Sequence, residues 1–423
     1  MSQEPMRDVR MRGFTRRTPL SDVLAALEAD SKPLSAEPVS LGDCAGRVLA
    51  QELAAPRAVP PFARAAMDGF AVRGEDSFGA SSFDPVILEV RGQALPGAPF
   101  AGTVGPGEAV RIMTGAPLPM GADAVAKAEI CRTTTATTSE LPKTVELLEA
   151  VAPEKHVGQV GEDVQQGEVL LRAGRRLRPQ DVGLLASLGV TEVPCHRRPR
   201  VRLIVTGDEL LAPGEVPQGS RIVDSNSPML RALVARDGGL LDDYRLLPDD
   251  PAQIGAALSE PGPDVILVTG GSSVGAEDHA PVLLHKLGRL DFHGVTMRPA
   301  SPSAGGRIGE RWVFLLSGNP VSCLCAYEFF AGPTLRALGG RSRSWPHRTL
   351  RAKLARKIVS ELGRTDYVRV ALEDGLVLPL STAGASILSS TVRAAGAVIV
   401  DRDLEGLAEG QEVEVLLYDE DPA

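Results

Sequence analysis

The sequence predicts an α/β multidomain protein whose largest unit is a doubly wound parallel-sheet domain. Between residues 200 and 340 a pattern of strand, glycine-bearing loop and helix repeats: VRLIVTG leads to SPMLRALVARDGG, DVILVTGG to APVLLHKLG, and WVFLLSG to NPVSCLCAYEFFAG. The strands are continuous apolar runs rather than alternating ones, as expected for a parallel sheet covered by helices on both faces. On either side of this block the chain changes to short β-prone pieces separated by glycine and proline turns.

The elements follow in order. Residues 1–13 read as a loose tail, and TPLSDVLAALEAD as an amphipathic helix capped near Ser21, with Val23, Leu24 and Leu27 on one side. From 56 to 152, pieces such as PVILEV and AVRIM alternate with PG, GP and GA turns. This is the pattern of a small β-rich domain, with the Thr-rich run 133–139 as an exposed hairpin tip. GEDVQQGEVLLRAGRRL returns to short strands, and PQDVGLLASLG forms a helix with Pro179 in its first turn and Gly189 just past its end. If that helix packs against the N-terminal one, 14–55 and 153–198 form one elongated domain into which 56–152 is inserted. The α/β domain then covers 199–340, and TLRAKLARKIV, DYVRVALE, GLVLPL and EVEVLLY form a final β domain over 341–423.

Length and composition bound the function. A chain of 423 residues is too long for one ordinary core and divides into about three or four units. With 43% hydrophobic and 23% charged residues, 44 Gly and 33 Pro, it is globular and turn-rich rather than disordered or fibrous. No apolar run approaches the roughly 20 residues that span a bilayer, and the charged opening lacks an apolar signal core, so a cytoplasmic protein without membrane association is expected. Cys44, Cys131, Cys195, Cys323 and Cys325, an odd and scattered set, make neither a disulfide framework nor a zinc spacing. Cys323 and Cys325, in VSCLCAYEFF, read as buried structural thiols. A formal charge of −9 disfavours nucleic acid. A small anion is compatible with it, because charges farther away than a Debye length of roughly 8 Å are screened from local arginines.

In open α/β sheets, ligands sit outside the carboxyl ends of the strands. After VILVTG, the run Gly271-Ser272-Ser273-Val274-Gly275 either cradles a phosphate with its N–H groups and hydroxyls or is a tight turn; it is neither a Walker A motif nor GxGxxG. Asp208 and Glu209 of VTGDEL and Asp278 of VGAEDHA add carboxylates. These suit magnesium, which takes one or two carboxylates together with substrate phosphates and water. Asp278 also suits a helix cap before Pro281. DSN at 224–226 and SGNP at 317–320 precede helices, with capping the leading role for Asn226 and Asn319 and the loop amides available to a ligand.

The ordered set RAAMDGFAV (64–72), RIMTGAPLPMGADAV (111–125), GEDV (161–164), RPQDVGLLASLGV (178–190), VTGDEL, DSN, GGSSVG, SGNP and LSSTVRAAG resembles the molybdopterin molybdenumtransferase (MoeA/gephyrin E-domain) family. The resemblance runs from about residue 14 to the C-terminus. It implies four domains, the third sharing the molybdopterin-binding fold of the molybdopterin adenylyltransferases and the last barrel-like. It also implies a homodimer whose sites lie where the third domain faces the partner's second. The implied reaction takes adenylylated molybdopterin, places molybdate on the dithiolene sulfurs and releases AMP with the help of Mg2+. Molybdopterin adenylyltransferase and apo-molybdoenzymes are the implied partners.

Carried over by motif, Asp68 and Thr114 reach toward the active site from the second domain, joined by Asp163 of GEDV. Glu209 and Asp278, with Asp208, serve the metal and phosphate end. Thr206, Gly270, Gly271, Ser272, Ser273 and Gly275, with Ser317, Gly318, Asn319 and Pro320, hold the pterin phosphate. Arg364 of GRTDYVR and Ser390 of LSST match oxyanion-binding residues, with Arg369 a rival for the arginine role.

The departures from the family pattern bear on activity. Where the family carries a KPGKP-like element this chain has Arg298-Pro299-Ala300-Ser301-Pro302, so both lysines are absent from the catalytic set. Arg298 keeps a positive charge in a planar fork, and Ser301 keeps only a neutral hydroxyl. Exchanging a charge-assisted hydrogen bond for a neutral one weakens oxyanion binding by about tenfold to a hundredfold. HVGQVGEDV lacks two basic side chains of the family's approach to GED, while Ser272 and Ser317 are mild changes. These losses keep a second function open, that of a divergent paralogue which binds or carries molybdopterin with weak or no metal insertion.

Overall fold

The computed structural model describes residues 14, 16–133, 140–271, 278–381 and 384–418. Residues 134–139 of the expected hairpin tip at 133–139, and Ser272, Ser273 and Gly275 of the glycine loop, lie outside the described residues. The chain divides into two compact units, one of residues 39–193 and one joining the stretch up to 38 with everything from 194 onward.

The first helix, α1 (Leu20–Asp30), starts one residue after Pro19. Ser21 does not cap it; its hydroxyl donates to the neighbouring Asp22 carboxylate at 3.0 Å. Leu20, Val23 and Leu27 are buried in one cluster with Phe292, Val295 and Phe330 of the α/β domain. The expected packing of α1 against the helix at 179–187 is therefore corrected. That helix, α2 (Pro179–Ser187), belongs to the other unit, where Leu184 and Leu188 pack with Ala55 and Val164. A three-residue apolar stripe does not reveal which of several apolar surfaces it will cover.

The unit of residues 39–193 is built on a six-stranded sheet. Its strands are β1 (Gly69–Val72), β2 (Val86–Ala94), β3 (Glu108–Ile112), β4 (Ala124–Lys127), β5 (Cys131–Thr133) and β6 (Thr144–Leu147), in the order β4-β1-β3-β2-β6-β5. β1 is buried along its whole length, with Phe70 and Val72 in one cluster and Ala71 in another. Asp68 and Thr114 lie just beyond the paired ends of β1 and β3, where Gly69 faces Ile112.

The second unit holds the α/β domain. Its sheet contains β7 (Arg200–Thr206), β8 (Leu240–Leu247), β9 (Val265–Thr269), β10 (Arg289–His293), β12 (Ala304–Ile308) and β13 (Arg311–Leu316), with β11 (Met297–Arg298) leaving toward the C-terminal domain. The order is β8-β7-β9-β13-β12-β10; the first four strands are parallel, β12 is antiparallel to β13, and β10 is antiparallel to β12. Helices α3 (Asn226–Arg236), α4 (Pro251–Ser259), α5 (Ala280–Leu287), α6 (Pro320–Ala326) and α7 (Gly332–Leu338) complete the domain, α6 and α7 being joined by a π-helical turn at Tyr327–Ala331. Continuous apolar runs predict the inner strands because both of their faces are covered. Leu203, Ile204 and Val205 on β7 are buried in succession, as are Val265, Ile266, Leu267 and Val268 on β9.

At the carboxyl end of α3 lies a buried charged network. Asp237, 1% exposed, accepts from Arg236 Nη2 (2.8 Å), Arg336 Nη1 (2.8 Å) and the Tyr327 hydroxyl (3.0 Å). Arg236 also donates to Glu328 at 2.6 and 2.9 Å. The thiols of Cys323 and Cys325 are fully buried, and burial pushes that of Cys323 up to about 12, which fits the structural role expected for both.

The C-terminal strands are β14 (Thr349–Leu354), β15 (Thr365–Glu373), β16 (Leu376–Ser381), β17 (Gly396–Val400) and β18 (Glu412–Leu417). They run β15-β16-β14-β18-β17, and β17 pairs again with β15 to close a five-stranded barrel. β11 adds to β15 in parallel, placing Arg298 opposite Asp366. No helix among the described residues is long and apolar enough to cross a membrane.

Candidate active site

The carboxyl ends of β7, β9 and β13 and the start of α3 surround a cavity of about 600 Å3. Thr206, Glu209, Gly270, Gly271, Asp278, Ser317, Gly318, Asn319 and Pro320 all line it. One hydrogen-bonded chain ties these ends together. Asn226 Nδ2 donates to Thr269 Oγ1 and to the Gly318 carbonyl, each at 2.8 Å, and Thr269 Oγ1 donates to the Ser317 carbonyl at 3.1 Å. Gly270 has φ +94°, and a Cβ there would meet the Thr206 carbonyl oxygen at 2.2 Å. Only glycine lets the β9 loop cross so close to the end of β7.

Two expected caps are corrected by this geometry. Asn226 does not cap α3; the Asp224 carboxylate does, accepting from the N–H groups of Asn226 (2.9 Å) and Ser227 (3.0 Å) and from the Tyr244 hydroxyl (3.1 Å). Asn319 occupies the cap position of α6 but makes no side-chain cap bond, and it lines the cavity. Asp278 precedes the cap position of α5, which His279 occupies.

Asp249, just past the end of β8, escapes the sequence reading and lines the same cavity as Glu209 and Asp278. Burial, reinforced by the charges of Asp208 and Glu209, raises its carboxyl above the ordinary range. A signal for it is present: Asp250-Pro251 starts α4, with the Asp250 carboxylate accepting from Ala252 N–H at 2.9 Å, so Asp249 sits at a strand end. Asp208, expected to share the metal, is not among the residues lining the cavity; its Oδ1 accepts from the Asp249 N–H at 3.2 Å. Among the described residues no group of three or more His, Cys, Asp or Glu side chains is placed to hold a metal ion. Glu209 and Asp278, which line the same cavity, still suit magnesium, which is satisfied by one or two carboxylates when phosphates and water complete its shell.

A second cavity of about 370 Å3 shares Pro302, Ser317 and Asn319 with the first. Arg298, Ser301, Ser322 and Arg369 line it, Arg369 being only 2% exposed. Arg298 Nη2 donates to Asp366 at 2.5 Å, and Ser301 Oγ donates to the Val295 carbonyl at 3.0 Å. Of the two rival arginines it is Arg369 that lines the cavity. Arg364 is absent from both linings and is bound to Asp366 (2.8 Å) and Glu361 (2.7 Å). Ser390 is likewise absent from both linings, and its hydroxyl is turned to the Ile387 carbonyl at 2.5 Å.

In the unit of residues 39–193, Asp68 Oδ1 accepts from the backbone N–H and the hydroxyl of Thr114, both at 2.7 Å. These bonds, the backbone one first, hold the exposed Asp68 carboxyl below the ordinary range. Replacing Thr114 by valine, which removes the hydroxyl and keeps the N–H, is expected to move the Asp68 titration upward in a carboxyl-detected NMR series. An unmoved midpoint would mean that the backbone bond alone sets it. Asp163 is exposed in the same unit, and its N–H donates to the Val59 carbonyl at 3.1 Å.

Three family models match successive stretches of the chain. They are the MoeA N-terminal region (domain I and II) over 18–189, a "probable molybdopterin binding domain" over 202–337, and the MoeA C-terminal region (domain IV) over 351–418. Molybdopterin molybdenumtransferase of Haemophilus influenzae is 32% identical over 396 residues, which cover 90% of this chain and 94% of that protein. Molybdopterin molybdenumtransferase 2 of Mycobacterium tuberculosis is 34% identical over 407 residues, 93% of this chain and 97% of that one. Among solved structures, the molybdopterin biosynthesis MoeA protein of Pyrococcus horikoshii is similar with a TM-score of 0.82 at 32% identity, covering 96% of this chain and 100% of that one.

Proposed function

Because the chain belongs to the MoeA family, we propose that it is a molybdopterin molybdenumtransferase that holds adenylylated molybdopterin in the larger cavity and molybdate in the smaller. The observation that carries this reading is the shared wall of Ser317 and Asn319 between a glycine-lined, acidic cavity and one bounded by two guanidinium groups. The N–H groups of glycine-bearing loops at strand ends suit phosphates. Molybdate is a small dianion that needs cationic or N–H donors, and Arg298 and Arg369 are of that kind. Separate cavities keep the dianion away from Glu209, Asp249 and Asp278. The reading includes the four-domain division, the symmetric dimer that brings in Asp68, Thr114 and Asp163, and oxyanion roles for Ser301, Arg364 and Ser390.

Glu209 and Asp278 would hold Mg2+, which would offset the charge of the phosphates when bound. The chain's own contribution is to fix the phosphates by backbone N–H groups and to hold the oxyanion beside them, so that insertion and adenylate release proceed in one enclosed place. Purified protein given adenylylated molybdopterin, Mg2+ and molybdate should release AMP and yield a cofactor that activates an apo-molybdoenzyme. No turnover at millimolar molybdate would reject the reading. Glu209→Gln is expected to raise the Mg2+ concentration for half-maximal AMP release about tenfold, the loss of roughly one charge-assisted contact; an unchanged Mg2+ profile would remove Glu209 from that role.

The pairing of Arg298 with Asp366 favours one alternative, a protein that binds or carries molybdopterin without inserting metal. It predicts tight binding of the pterin and no molybdate-dependent product.

A further inference from the structure

We propose that Asp366 is a positioning residue that turns Arg298 into an oxyanion ligand; this rests on the assignment of the smaller cavity to molybdate. Asp366 stands directly opposite Arg298 in the β11–β15 pairing and is 1% exposed. Its Oδ2 accepts from Arg298 Nη2 at 2.5 Å and from the Ser360 hydroxyl at 3.0 Å, and its Oδ1 accepts from Arg364 Nε at 2.8 Å. The carboxylate is thus held on both oxygens and cannot follow Arg298 if that side chain swings. Arg298, in contrast, lines the cavity with a third of its side chain exposed.

The donor arithmetic explains why an arginine suits this place. A guanidinium has five N–H donors in a rigid plane, so engagement at one nitrogen fixes the plane and leaves the rest of the fork for a second acceptor. An ammonium has one nitrogen on a flexible stem, and pairing it with Asp366 would place its single charge at the carboxylate. Arg298 Nε is buried and has no hydrogen-bond partner among the described residues. A charged donor left so is unfavourable, and no group among the described residues satisfies it. Asp366 thus sets the direction of the fork at the expense of some of its charge.

Two effects of removing the carboxylate charge oppose each other, which makes the inference testable. Loss of a counter-charge alone would tighten anion binding; loss of positioning would weaken it. Molybdate binding should be measured by titration calorimetry on the full-length protein, with adenylylated molybdopterin binding measured in parallel. Asp366→Asn is expected to weaken molybdate binding about tenfold, and to change it less than about twofold in an Arg298→Gln background, the non-additivity of residues acting as a unit. Pterin binding should be the same in all variants. Tighter molybdate binding in Asp366→Asn, or an equal loss in the Arg298→Gln background, would overturn the inference. Should Asp366→Asn fail to fold by circular dichroism, Asp366→Glu keeps the charge and displaces the anchor by one methylene. A severalfold loss of molybdate affinity is then expected, and undiminished affinity overturns the inference. A parent protein that binds the pterin but no molybdate would instead refute the assignment of the smaller cavity, and the inference with it.

Discussion

Gly270→Ala is expected to reduce AMP release at least about a hundredfold, the order of loss that follows when reacting groups are displaced by an ångström. The added methyl would lie 2.2 Å from the Thr206 carbonyl oxygen and 2.9 Å from Thr206 Oγ1, on a backbone with φ +94°. The clash cannot be relieved by a side-chain rotation, because its partner is the main chain of the neighbouring strand, where Val205 is paired with Thr269. Overpacking and an unfavourable φ together cost about 2–6 kcal/mol, so either the strand ends separate or the loop moves away from them. Either response deforms the larger cavity where Thr206 and Gly270 line it. Gly318→Ala provides the contrast, since its Cβ would meet Gly270 Cα at an ordinary 3.6 Å, and its effect should be much smaller. Initial rates of AMP release and pterin binding for both variants test the pair. Parent-like kinetics in Gly270→Ala would show that this loop does not hold the substrate.

The second large effect concerns stability. Asp237→Asn removes the charge that accepts from Arg236, Arg336 and Tyr327 at a buried site. Breaking a buried ionic network from one side leaves charge without compensation, at a cost of about 3–5 kcal/mol. In a unit of this size that lowers the thermal midpoint by roughly 10 °C, readable by scanning calorimetry. A shift within about 1 °C would show that the network is balanced by its own desolvation. Glu328 in the same network adds an acid dependence. Burial alone would raise its carboxyl, but His347 and Arg236 outweigh burial and hold it well below the ordinary range. A depressed carboxyl stabilises the fold fully above its unfolded-state pKa, and that contribution is lost as pH falls through the folded value, so the unit should weaken on the acid side.

Much of the α/β domain is readable because its inner strands are unbroken apolar runs ending in glycine, as β9 is. β8 is not, because Asp242, Asp243 and Arg245 interrupt LLDDYRLL. Those charges are tolerated at the edge of the sheet, where Arg200 and Arg202 on β7 pair with Asp242 and Asp243. Missing β8 means missing Asp249. The cavity-lining glycines, Glu209 and Asp278 are legible because strand ends are predictable places for ligands. Arg298 and Ser301 emerge through motif order alone. The choice between Arg364, just before β15, and Arg369, within it, depends on side-chain direction, and burial on both faces of β15 hides the alternation. The partner of α1 is unreadable for a related reason, since apolar positions state that a surface will be covered and not by what.

That partnership has a consequence for synthesis. The apolar face of α1 leaves the ribosome early, yet the residues that cover it, Phe292, Val295 and Phe330, are made after the whole unit of residues 39–193. At the usual ~5–20 residues per second the nascent helix waits on the order of 15–60 s for its shelter. Folding during translation can therefore complete the middle of the chain before its beginning, with Leu20, Val23 and Leu27 uncovered in the interval.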